Sequence, residues 1–142
     1  MPNIWWVSNV SFKKMLLRIA SVLGLTFCGV LFAQEGFPLK GTWHGNFGGE
    51  SGTPITLIFN WDGKSISGIV NPGLRSSQLE NASLNPSNWT VHFETNYKDR
   101  SGAVSKVVVD AKLEDITNRR RVLNGTWTQG DQKSPFTAKR DD

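Results

Sequence analysis

The chain has 142 residues and a formal charge of +4, but Lys13, Lys14 and Arg18 all precede a short apolar run, and from Gln34 onward 13 basic side chains face 12 acidic ones. That near-balance excludes strong electrostatic attraction to nucleic acid or acidic lipid, and the length leaves room for one domain. The single cysteine, Cys28, lies in the N-terminal part, so the rest must be stabilised by its apolar core and not by a disulfide.

The run Lys13-Lys14-Met15-Leu16-Leu17-Arg18, the apolar stretch 19–32 and the small Ala33 have the order of a secretory signal: charged region, apolar region, cleavage site. Residues 1–33 are therefore expected to be a signal peptide, with Met15 the expected start of translation and cleavage after Ala33. Residues 34–142 would be a single domain, secreted or periplasmic. The apolar run is shorter than the ~20 residues of a membrane helix and is interrupted by Ser21, Gly24, Thr26 and Gly29, which predicts no membrane span in the mature form. Phe27 is bulky where a lipidation site wants a small residue before Cys28, which argues against a lipid anchor.

Strands follow in order. Over 39–47 the residues Leu39, Gly41, Trp43, Gly45 and Phe47 share one face and Lys40, Thr42, His44 and Asn46 the other. A glycine-rich loop leads to 53–61, with Ile55, Leu57, Phe59 and Trp61 in phase. Asp62-Gly63 is a hairpin turn into 64–71. The stretch 79–85 alternates only partly, and 86–88 closes it with turn residues. Residues 89–97 alternate strongly, placing Trp89, Val91, Phe93, Thr95 and Tyr97 on one face. Two more strands, 103–113 and 121–129, and a last one at 133–140 complete eight. Arg119-Arg120-Arg121 reads as a solvated turn, with a phosphate or acidic-partner contact as the minority reading.

No helical apolar period occurs after the signal. The expected fold is all-β: an eight-stranded antiparallel up-and-down barrel, with a β-sandwich as the alternative. The glycines Gly41, Gly45, Gly68 and Gly125 favour closure, because a strand without a side chain can bend or admit a large neighbour.

Gly41-Thr42-Trp43 on the first strand, the eight-strand meander and Arg140 at the end of the last strand resemble the calycin superfamily of lipocalins and avidins. The resemblance implies that Trp43 closes one end of the barrel, with Arg140 across it and Gly41 beside it. Leu39 to Trp43, Asp62 to Gly68 and Phe136 to Lys139 are similar to the first, third and last strands of avidins. Ile69-Val70-Asn71 stands where avidins carry an aromatic hydroxyl, so the resemblance does not extend to biotin.

Trp61, Trp89 and Trp127 fall near strand ends, where a barrel mouth would lie, and with Tyr97 they are the candidate ligand-binding residues. Core filling is the competing reading for each. His44 and His92 lack a third ligand at metal spacing, and no motif calls for a cofactor. The leading expectation is a binding module for a small apolar or aromatic ligand. The alternatives are a protein-interaction or protease-inhibitor barrel, acting through 34–38 and 48–52, and a small enzyme using His92 with Glu94 or Asp110.

Overall fold

In a computed structural model, residues 36–117 and 119–142 are described; the expectations for the signal peptide, Met15 and Cys28 lie outside them. The strands are β1 (Gly41–Phe47), β2 (Thr53–Trp61), β3 (Ile66–Val70), β4 (Ser77–Asn85), β5 (Thr90–Lys98), β6 (Val104–Glu114), β7 (Val122–Gln129) and β8 (Gln132–Arg140). Each pairs antiparallel with the next, and β1 pairs with β8, with Trp43 opposite Arg140 and Phe47 opposite Phe136. The sheet is a closed barrel, not a sandwich.

Alternation builds the core. One side chain in two on each strand points into the bore, and Trp43, Leu57, Phe59, Val70, Phe93, Val107, Val109, Leu113, Leu123, Trp127 and Ala138 are at most 1% exposed. Each buried residue of Leu, Val or Phe size contributes about 1.5–3 kcal/mol by leaving water. The opposite faces are polar and carry bonded pairs such as Glu80 with Asn96 and Asn124 with Glu114. A barrel that is apolar inside and charged outside inverts the pattern of a lipid-embedded one. Among the described residues no helix is long and apolar enough to cross a membrane.

Rings fill the bore from end to end. Trp43 meets Phe59 edge-on at 6.3 Å, Phe59 meets Phe93 at 5.7 Å, Phe93 meets Phe136 at 6.4 Å, and Phe136 lies 6.3 Å from Trp127. The wall must be thin where such rings sit. At Gly45 an added Cβ would collide with the Thr137 carbonyl oxygen and lie 2.6 Å from Ala138 Cα, so β1 and β8 approach more closely than any side chain allows. Gly41 has a φ of +134°, a conformation that side chains disfavour, at the point where the chain turns into β1 against Arg140.

The end where β1 begins is the floor. There the Trp43 indole N–H donates to the Leu39 carbonyl at 2.8 Å, and Leu39 lies in a turn ahead of β1 instead of inside the first strand. Arg121 corrects the expectation of a solvated turn. Arg119 and Arg120 are exposed, but Arg121 is buried and donates from Nη1 to the Pro38 carbonyl and from Nε to the Ile116 carbonyl, both at 3.0 Å. It ties the lead-in segment to the β6–β7 loop. Arg140, also at this end, lies over Gly41.

One ladder is short. β3 and β4 share two residue pairs, Ile69 with Gln78 and Val70 with Ser77, whereas every other neighbouring pair of strands shares five to nine. The cause is a bulge in β4 between Glu80 and Ser83, where Asn81 takes a φ of +49°. The bulge also switches the inward phase of β4, from Ser77 and Leu79 before it to Ala82 and Leu84 after it.

Two outcomes are expected. Gly45→Ala should cost about 3 kcal/mol or more by overpacking, read as a lower urea midpoint with unchanged slope; a midpoint within experimental error of the parent would contradict the close approach. In native-state hydrogen exchange, amides of 66–68 and 80–84 directed into the β3–β4 seam should exchange faster than any in the nine-pair β5–β6 ladder.

Candidate functional site

The meander's parity sorts the candidate residues. Odd strands begin at the floor and even strands end there, so Trp61, which ends β2, and Trp89, which precedes β5, share the floor with Trp43. Trp61 stacks on Phe37 at 4.2 Å beside a groove of about 300 Å³. Trp89 occupies the β4–β5 turn with a φ of +58°, a costly conformation for a bulky residue. Its carbonyl accepts from the Leu113 amide at 2.8 Å, which fixes it to the neighbouring ladder, and its ring packs on the core.

Trp127 and Tyr97 stand at the opposite end, the mouth, where they meet Phe47. Phe47 and Trp127 are parallel at 4.1 Å, and the Tyr97 ring is edge-on to both, at 5.5 Å from Phe47 and 5.3 Å from Trp127. The three rings top the aromatic column. Phe47 joins the other two rings, although the sequence pattern marks it only as an inward residue of the first strand. The structure thus brings together two of the four candidate ligand residues and separates the other two from them.

Two depressions flank the β1–β2 loop and share Phe47, Ser51, Gly52, Thr53 and Gln129. One, of about 500 Å³, adds Trp127, Lys133 and Ser134. The other, of about 630 Å³, adds Tyr97, Asp99, Arg100 and Ser101. Both fall within the size range of small-molecule sites. Their polar groups are held in place: the Trp127 indole N–H donates to Gln129 Oε1 at 3.3 Å, and Gln129 Nε2 donates to Ser105 Oγ at 2.6 Å.

Asp99 serves its own loop. Its Oδ1 accepts from Ser101 Oγ at 2.6 Å, Ser101 N at 2.8 Å and Ala103 N at 3.0 Å, and the Ser101 hydroxyl foremost holds the carboxyl below its ordinary range. Burial raises the Tyr97 hydroxyl above its ordinary value of 10.0, opposed by the charges of Arg75 and Arg100 and reinforced by Asp99.

The outer wall carries a second polar cluster. The register sets His92 opposite Asp110, and His92 Nδ1 lies 2.7 Å from Asp110 Oδ1. His92 Nε2 is 3.8 Å from Glu94 Oε1, too long for a hydrogen bond. Glu94 is engaged by Lys106, whose Nζ lies 2.7 Å from Oε2; that contact lowers the carboxyl and raises the amine. Ser83 is the cross-strand neighbour of His92, yet no hydroxyl among the described residues hydrogen-bonds the imidazole. Nor is there a group of three potential metal ligands among those residues.

Tyr97 is the only tyrosine of the chain, so its phenolate absorbance reports this site alone. The folded protein should titrate above 10. Because the fold favours the protonated form, this contribution to stability is full below the unfolded value and lost as pH rises through the folded one. Asp99→Asn should lower the midpoint and Arg75→Gln raise it; a midpoint at or below 10 in the parent would contradict the burial.

Compared with known proteins, the chain matches no family model, no curated protein and no solved structure.

Proposed function

We propose that this chain is an exported binding barrel of calycin-like type that takes a small apolar or aromatic ligand at its mouth. The observation carrying this reading is the Phe47–Trp127–Tyr97 cluster at the base of two adjoining depressions of about 500 and 630 Å³. The column of rings beneath them occupies the bore, so the ligand rests on the rings instead of entering a chamber. Phe47 is only half-buried and offers the contact surface; Ser51, Thr53 and Gln129 supply polar groups that set orientation. Export is part of the proposal and rests on the order of charge, apolar run and Ala33 in the sequence.

A protein partner at the same end is the second reading. Leu74, in the β3–β4 loop, is fully exposed, and Val104, at the start of β6, is 60% exposed; both stand at the mouth end. The enzymatic alternative draws only on the His92–Asp110 contact, with no hydroxyl bonded to His92.

Tryptophan emission should shift saturably when small aromatic molecules, charged and neutral, are titrated into the protein. Trp127→Phe should remove most of the shift and Phe47→Ala should weaken binding about tenfold or more, the loss of a buried apolar contact. A panel in which no compound moves the emission would overturn the ligand reading. For export, the N-terminus of protein recovered from outside the cytoplasm should lie at or near Gln34.

A further inference from the structure

We infer that the ligand of the mouth carries an anionic oxygen group, most simply a carboxylate on a ring, received by the Tyr97 hydroxyl and the guanidinium of Arg100. This rests on the reading of the mouth as the ligand site and adds its chemical class.

Three observations converge. The first is an open donor. Tyr97 is 4% exposed, yet its hydroxyl has no hydrogen-bond partner among the described residues, and it lines the larger depression. The ring is nearly buried, but the hydroxyl is not among the buried unpartnered atoms and so stays open to solvent at the depression, free to donate.

The second is the cations of the same end. Arg100 lines the larger depression and Lys133 the smaller, and Arg75 stands in the β3–β4 loop at the same end. None of the three has an ion-pair partner among the described residues, whose ion pairs all lie elsewhere: His44 with Asp141, His92 with Glu94 and Asp110, Lys106 with Glu94, and Arg120 with Asp142.

The third is the disposition of the nearest carboxylate. Asp99 sits between Tyr97 and Arg100 in the sequence, but its Oδ1 takes three donors from its own loop. That arrangement fixes the turn and leaves the adjacent Arg100 on the depression instead of closing it on Asp99. A planar carboxylate suits what remains, because a guanidinium fork binds two oxygens side by side and a phenol donates one further hydrogen bond. The apolar part of the ligand would then lie against Phe47.

The test compares 3-phenylpropionate with its neutral amide, and phenyl phosphate with both, by calorimetry on the full chain at neutral pH and low salt. The acid should bind at least tenfold more tightly than the amide, and the ratio should shrink as salt rises. Tyr97→Phe and Arg100→Gln should each bring the ratio close to one, whereas Lys40→Gln, at the opposite end, should leave it intact; circular dichroism checks that each variant folds. Phenyl phosphate binding more tightly than the acid would overturn the carboxylate assignment in favour of a phosphate. Equal binding of acid and amide would overturn the anionic group while leaving the mouth as an aromatic site. An acid preference that survives both variants would overturn the assignment of the receptor. Failure of every compound to bind would remove the underlying reading, and this inference with it.

Discussion

A closed barrel of eight strands must fill its own bore, and here six aromatic rings in sequence do so, from Trp43 at the floor through Phe59, Phe93 and Phe136 to Trp127 and Phe47 at the mouth. Everything else adjusts to that column. The wall gives way to it at Gly45 and Gly125, each pressed against an alanine of the adjoining strand, Ala138 and Ala111. Small residues on facing strands let the backbones close in while large ones occupy the space between, which is how an interior reaches crystal-like density without voids.

The floor shows how such a column is anchored. A tryptophan at the end of a bore has an N–H that must be satisfied, and Trp43 finds the Leu39 carbonyl in the turn just before its own strand. Arg121 supplies the longer tie, since a guanidinium has enough donors to serve two carbonyls at once, one from the lead-in and one from a loop far along the chain. Removing it would leave both carbonyls short of a donor. The β3–β4 seam, by contrast, is where the wall is weakest, and the bulge at Asn81 that shortens its ladder also turns Asn81 toward Glu94 on the outer wall.

Much of this architecture was legible beforehand, for a physical reason: every strand but one has a clean two-residue period, so its inward face can be read directly, and β2 falls at 53–61 as expected. β4 was the weakest strand to read because its bulge reverses the phase midway, leaving Leu79 and Leu84 inward on opposite parities. Arg121 was misread because the carbonyls that hold it are not its strand neighbours; one lies 83 residues away. The tryptophans teach a different lesson. Their grouping was in principle readable, because in a meander the parity of the strand decides which end its terminus reaches. Trp61 and Trp89 therefore had to stand at the floor and Trp127 at the mouth. Tyr97 falls at the mouth by the same parity, whereas Arg100 carries no such signal, since only the folded loop shows that Asp99 is already occupied.

The two ends of the barrel meet their polar groups differently. At the floor the indole of Trp43 and the guanidinium of Arg121 are bonded to backbone carbonyls, and Phe37 covers Trp61. At the mouth the same kinds of groups occur, an indole, a phenol and guanidinium groups, but only the indole has a protein partner. Arg75 and Arg100 are exposed to water, so leaving them without a protein partner costs the fold little. Under the proposed reading, the end that begins with Leu39 and Trp43 serves closure, and the end where Phe47, Tyr97 and Arg100 meet solvent serves recognition.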